Sequence, residues 1–229
     1  KPFDLMVEQQ TALDTICSSM DKEKPGTVLL HGVTGSGKTE VYLQAIRHAL
    51  DKGQGAIVLV PEIALTPQTV DRFRSRFGEN VAVLHSSLSD GERHDEWHRI
   101  RNGEARIAIG ARSALFSPIE NLGLIVVDEE HEPTYKQDES PRYNARDVAV
   151  MRGYLEKCCV VLGSATPALE SFGNVKNGRY KLAEMLMRVD DRSMPLMRVV
   201  DMCVEKERDG RPQIFSRELV EGIYDRLNV

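Results

Sequence analysis

Gly32-Val33-Thr34-Gly35-Ser36-Gly37-Lys38-Thr39 has the spacing G-x-x-x-x-G-K-[ST], and each residue type in it has a physical reason. Glycines let backbone N–H groups turn toward phosphate oxygens with no Cβ in the way. Lys38 offers a positive charge to β- and γ-phosphates, and the Thr39 hydroxyl offers a ligand to Mg2+. Val28-Leu29-Leu30-His31, just before the loop, is a short buried-strand run. Beyond the loop, Val41, Ala45, Ile46, Ala49 and Leu50 recur at helical spacing. A helix that starts at the loop turns its positive dipole end toward the phosphates. Strand, loop and helix in this order predict a nucleotide site, with residues 32–39 as its ATP contacts.

The chain on either side continues the alternation. Ala56-Ile57-Val58-Leu59-Val60, Val81-Ala82-Val83-Leu84-His85, Arg106-Ile107-Ala108-Ile109-Gly110, Leu124-Ile125-Val126-Val127 and Val160-Val161-Leu162 read as strands. Helices are expected over 4–20, from the loop to about Lys52, and from Pro67, behind Thr66 as N-cap, to Gly78. A capping box at Ser89-Asp90-Gly91-Glu92 opens another through Trp97 and Ile100 to Gly103, and its spacing assigns Trp97 to the core. Residues 132–143 read as a long loop, Asn144 caps a helix through Val148, Met151 and Leu155, and Pro167 starts one to about Val175. Continuous apolar strands alternating with helices mean an α/β fold, a mainly parallel sheet covered on both faces. From Met185 the pattern loosens. Met194-Pro195 reads as a linker, Arg198–Met202 as a further strand, Arg208–Pro212 as a turn, and Ser216 as the cap of a helix through Leu219, Ile223 and Leu227. The expected division is a domain at 1–185 and, at 186–229, a linker with the start of a second domain.

Composition narrows the class. Hydrophobic residues make up 41% and charged residues 28% of the 229, as in a globular domain. The longest apolar runs are strand-sized, so no transmembrane helix and no membrane partner are expected. Lys1-Pro2-Phe3-Asp4 opens without methionine or an apolar core behind it, so no signal peptide is expected and the chain reads as cut from something longer. Cys17, Cys158, Cys159 and Cys203 form no C-x-x-C pair, which argues against zinc in this chain, and the reducing cytoplasm is the expected compartment. A net charge of -5 argues against a basic coat over the whole surface but leaves room for a local basic groove.

Asp128-Glu129-Glu130-His131 follows a buried strand, where an α/β sheet presents its ligand-facing ends. Phosphoryl transfer needs a carboxylate for Mg2+ and a group that orients or deprotonates water. Asp128 fits the first role and Glu129 the second, with Glu130 the next candidate base. An acidic, solvated helix start is the competing reading of this box taken alone.

With the phosphate loop, this Asp-Glu-x-His box and Gly163-Ser164-Ala165-Thr166-Pro167 resemble the RecA-like first motor lobe of superfamily 2 helicases. Val60-Pro61-Glu62-Ile63-Ala64-Leu65-Thr66-Pro67-Gln68 resembles motif Ia, and Gly110-Ala111-Arg112-Ser113-Ala114-Leu115-Phe116-Ser117-Pro118 resembles motif Ib. Tyr135-Lys136-Gln137 with Pro141-Arg142-Tyr143-Asn144-Ala145-Arg146-Asp147 is similar to the aromatic-rich loop of the bacterial replication-restart helicases. The resemblance implies that Gln9 reads adenine, with Gln10 as competitor, and that His131 connects the ATP site to Ser164 and Thr166. Local capping before Pro167 is the other reading of those two hydroxyls. It also implies DNA contacts at Pro61, Thr66, Arg112 and Ser113. Tyr135 and Tyr143 supply faces for stacking, and Lys136, Arg142 and Arg146 supply cations for phosphates. A loop folded against its own lobe, its tyrosines half buried, is the alternative.

By that resemblance the activity is an ATP- and Mg2+-dependent 3′-to-5′ DNA helicase that restarts replication at stalled forks. Its substrates are single-stranded and forked DNA, and its partners are other primosome proteins and single-stranded DNA-binding protein. Zinc belongs to the second lobe and not to this chain. The rivals are another superfamily 2 translocase, RecG-like or restriction-type, and a non-motor ATP-binding scaffold.

Overall fold

The apolar runs become strands because only a sheet buried on both faces accommodates so many consecutive side chains without polar relief. The computed structural model describes residues 4–85, 88–189, 197–204 and 214–227. Its strands are β1 (Thr27–Gly32), β2 (Gly55–Leu59), β3 (Val81–Leu84), β4 (Ile107–Gly110), β5 (Leu122–Asp128), β6 (Lys136–Gln137), β7 (Tyr143–Asn144), β8 (Cys159–Ser164) and β9 (Tyr180–Met185). The helices are α1 (Val7–Met20), α2 (Lys38–Asp51), α3 (Pro67–Phe77), α4 (Asp90–Arg101), α5 (Ala145–Glu156), α6 (Leu169–Lys176) and α7 (Arg217–Leu227). Residues 1–192 and 193–229 form two separate compact units.

The first unit carries a sheet of order β3-β4-β2-β5-β8-β1-β9, and every pairing in it is parallel. Successive residues point to opposite faces. Val28, Leu30, Val58 and Val126 join Ile16, Val41, Ile46 and Phe73 on one side, under α1, α2 and α3. Leu29, Ile57, Ile125 and Leu162 join Ile100, Leu115 and Ala149 on the other, under α4 and α5. The helix starts follow their caps. Thr66 Oγ1 accepts from the Thr69 N–H at 3.3 Å, Ser89 Oγ from Glu92 at 3.3 Å, and Asn144 Oδ1 from Arg146 at 3.0 Å.

Several elements depart from the pattern reading. Trp97 is 36% exposed, edge-on to His98 and under the Arg101 guanidinium, because Ile100 alone fills the inner face of α4. Residues 132–143 hold a short turn at Pro133–Tyr135 and an antiparallel ladder between β6 and β7. β9 escapes the apolar pattern because it is an edge strand carrying Lys181 and Glu184 among its apolar positions. The helix expected from Pro167 begins at Leu169. In the second unit Arg198–Asp201 is not a strand, and Met202–Val204 is helical. Ser216 Oγ caps α7 by accepting from the Leu219 N–H at 3.2 Å. The linker at Met194-Pro195 and the turn at Arg208–Pro212 lie outside the described residues. Cys158 and Cys159 are core residues, and burial pushes both thiols up to about 12. No helix among the described residues is long and apolar enough to cross a membrane.

Ile57 has no exposed surface and lies in β2, between β4 and β5. Ile57→Ala is expected to destabilise the fold by about 2–5 kcal/mol, the transfer and cavity terms together. Urea unfolding measures this, and a loss below about 1 kcal/mol contradicts a close-packed sheet centre.

Candidate nucleotide site and adjoining face

The loop after β1 is shaped by its glycines. Gly35 and Gly37 have φ of 82° and 84°, a region costly for any residue with a Cβ. A Cβ at Gly37 would also stand 2.3 Å from Gln9 Nε2. Gly37 is the N-cap of α2, so the unpaired first-turn N–H groups of that helix open onto the loop. Lys38 Nζ donates to the Gly32 carbonyl at 2.8 Å and lies 3.5 Å from Glu129 Oε1. The buried Ser36 hydroxyl has no hydrogen-bond partner among the described residues. A cradle that side chains would fill, an inward lysine and an orphaned hydroxyl fit a bound phosphate chain.

Asp128 closes β5 and Glu129 follows it with φ 46°, an uncommon backbone state for a residue that is not glycine. Asp128 Oδ1 accepts from the Tyr42 hydroxyl at 3.0 Å. Burial raises the Asp128 pKa, and the Glu129 charge adds to it, while Tyr42 and Lys38 pull the other way. A carboxylate destabilised in this way is well suited to receive a divalent cation. Glu129 sits between Lys38 and His131, whose Nδ1 is 3.7 Å from Glu129 Oε2. His131 Nδ1 is 2.8 Å from Ser164 Oγ, and its Nε2 is 3.4 Å from Thr166 Oγ1. Ser164 Oγ also accepts from the Thr166 N–H at 3.0 Å, so capping and the histidine contact coexist.

Gln9 is buried against the loop: Nε2 donates to the Ser36 carbonyl at 2.9 Å, and Oε1 accepts from the Met6 N–H at 2.8 Å. Gln10 is exposed and donates to Asp14. Gln9, Lys38, Thr39, Asp128 and Glu129 thus line one cleft.

The third acid of the box has a different place. The Glu130 side chain has no exposure, accepts from Ala168 N–H at 2.7 Å and Ser171 Oγ at 2.9 Å, and pairs with Arg146 Nη1 at 3.3 Å. It ties β5, α6 and α5 together, a role that nothing in its sequence position signals.

The adjoining face divides the candidates for DNA contact. Thr66, Ser113, Lys136 and Arg142 are exposed, while Pro61 is buried at the head of the turn Glu62–Ala64. Arg112 donates to the carbonyls of Thr134 and Lys136, and its guanidinium lies 6.0 Å from the Tyr143 ring. Tyr143 is half-buried and edge-on to Phe116, an exposed aromatic that the motif reading missed as a stacking surface. Tyr135 does not stand free for stacking: it is 1% exposed, and its hydroxyl donates to the Asp128 carbonyl at 2.6 Å. Arg146 is likewise committed, with a side chain 12% exposed and paired to Glu130 and Asp147. Asp147 is its neighbour in the chain, but the buried partner Glu130 lies in another segment, so the local sequence does not show that Arg146 is held in the lobe.

Arg146→Ala leaves a buried carboxylate uncompensated, and a loss of about 3–5 kcal/mol is expected in urea unfolding. A change below about 1 kcal/mol is what a solvent-facing, phosphate-binding arginine gives, and it contradicts the assignment.

The DEAD/DEAH box helicase family model matches residues 7–175. The chain is 52% identical over 227 residues to the replication restart protein PriA of Bacillus subtilis, covering 99% of this chain and 28% of that relative. It is 51% identical over 229 residues to PriA of Chlamydia pneumoniae, covering 100% of this chain and 31% of the relative. The chain therefore spans less than a third of the length of these relatives. Among solved structures, RecG bound to a three-way DNA junction matches with TM-score 0.60 and 26% identity over 88% of this chain and 26% of that one. The helicase domain of Hef from Pyrococcus furiosus, at TM-score 0.52 and 22% identity over 76% of this chain and 38% of that one, shares the fold. The seven-stranded parallel sheet is a RecA-like helicase lobe, and the chain belongs to the DEAD/DEAH box helicase family.

Proposed function

We propose that residues 1–185 are the ATP-binding first motor lobe of a replication-restart DNA helicase, and that residues 186–229 are the linker and opening of its second lobe. The observation that carries this reading is the cleft lined by Gln9, Lys38, Thr39, Asp128 and Glu129, drawn from α1, the start of α2 and the end of β5. In it the loop N–H groups and Lys38 hold phosphates, Thr39 and Asp128 hold Mg2+, and Gln9 meets the adenine. Bound Mg2+ neutralises charge on the phosphates. Glu129 orients and deprotonates water, with Lys38 Nζ 3.5 Å from its carboxylate. His131 relays the state of this site to Ser164 and Thr166.

Single-stranded DNA crosses the adjoining face through Thr66, Arg112, Ser113, Lys136, Arg142 and Tyr143, with Phe116 as a further aromatic surface. The whole protein then acts as a 3′-to-5′ helicase on forked DNA in the cytoplasm, working with primosome proteins and single-stranded DNA-binding protein. Zinc sits in its second lobe. Identity of 52% to PriA against 26% to RecG favours restart over a RecG-like role.

Hydrolysis separates a motor from a scaffold. In the full-length protein, Lys38→Ala is expected to lose ATP–Mg2+ binding without loss of fold. Glu129→Gln is expected to bind ATP and hydrolyse it at least about a hundredfold more slowly. Titration calorimetry and phosphate release measure the two effects. Unchanged affinity in the first variant, or near-normal turnover in the second, contradicts the assigned roles.

A further inference from the structure

Tyr42 is a buried residue that the nucleotide reading does not use, and its hydroxyl reaches across the sheet to the acidic box. It stands on α2 one turn after Lys38, on the same helix face, and is 2% exposed. The hydroxyl is 3.0 Å from Asp128 Oδ1. Between them runs β8, which pairs with β1 on one side and β5 on the other. In this register Gly163 is level with both Leu30 and Asp128. A Cβ on Gly163 would lie 1.7 Å from the Tyr42 oxygen and 2.9 Å from its Cζ. Only glycine at that position therefore lets the phenol pass over the strand. From the opposite face of the sheet, the Tyr135 hydroxyl holds the Asp128 carbonyl at 2.6 Å. Asp128 is thus gripped by its side chain from one layer and by its backbone from the other.

We infer that Tyr42 is a positioning residue for the divalent cation: its hydroxyl fixes the rotamer with which Asp128 meets Mg2+, and it thereby couples the phosphate-loop helix to the metal. The inference rests on the nucleotide reading above and adds a residue to it. A phenol suits the task because it donates a hydrogen bond without adding charge beside the metal, and its ring is locked by the core. Groups that orient a metal ligand in this way are worth about 10–100-fold in metal affinity.

The test measures binding of a fluorescent ATP analogue to the full-length protein as Mg2+ is raised from chelator-stripped solution. Parent, Tyr42→Phe, Asp128→Asn and the double variant are compared, and circular dichroism checks the fold. Tyr42→Phe keeps the ring in the core and removes one oxygen. It is expected to bind the analogue like the parent without Mg2+ and to need at least about tenfold more Mg2+ for half-saturation. Adding Tyr42→Phe to Asp128→Asn is expected to change nothing further, because the tyrosine acts through that carboxylate. Equal Mg2+ dependence in Tyr42→Phe and parent overturns the inference and leaves the nucleotide site standing. So does an equal loss of affinity with and without Mg2+, which marks Tyr42 as packing alone. A parent that does not bind the analogue overturns the nucleotide reading and this inference with it, and a parent that binds it with no Mg2+ dependence overturns the inference alone.

Discussion

The hydrogen-bonded succession β5-β8-β1 sets the positions of the candidate chemistry. Parallel strands carry their ligand-facing groups at the same end, so three adjacent strands deliver three loops to one rim. β1 ends in the phosphate loop, β5 in Asp128, and β8, between them, in Gly163 and Ser164. Ser164 can therefore reach His131, and Tyr42 can reach Asp128 over a strand that has no side chain there. A slip of one residue in any of these pairings would turn side chains to the wrong face and separate the groups.

Around this rim the molecule keeps a buried charge and a strained backbone position. Glu130 is an acid with no exposure, and its desolvation is offset by Arg146, the Ala168 N–H and the Ser171 hydroxyl. Glu129 holds a positive φ next to it. The two neighbours divide the work: one anchors the box to α5 and α6, and the other is left half-exposed in the cleft. Such strain persists only where the surroundings over-determine it. Here those surroundings are the Glu130 anchor and the Tyr135 hydroxyl on the Asp128 carbonyl.

How much of this was legible follows from how local each signal is. The phosphate loop, its strand and its helix are contiguous, so spacing and periodicity find all three. The caps at Thr66, Ser89 and Asn144 are equally local, and each bonds as its residue type suggests. Gln9 and Gln10 are indistinguishable in sequence, and only the fold turns one toward the loop. Tyr135 and Arg146 have the composition of a DNA-binding loop, yet their partners, the Asp128 carbonyl and Glu130, lie in another segment. No short window shows such a pairing. β9 was hidden for a different reason, since an edge strand with charged residues lacks the apolar run that marks its neighbours.

The most direct measurement is a crystal structure of the full-length protein with a non-hydrolysable ATP analogue and Mg2+. The expected result places the phosphates within the loop of residues 32–39, Mg2+ on Thr39 and Asp128, and the adenine against Gln9. An analogue bound elsewhere on the lobe, or Mg2+ held without Asp128, would contradict the nucleotide site on which the proposed motor rests.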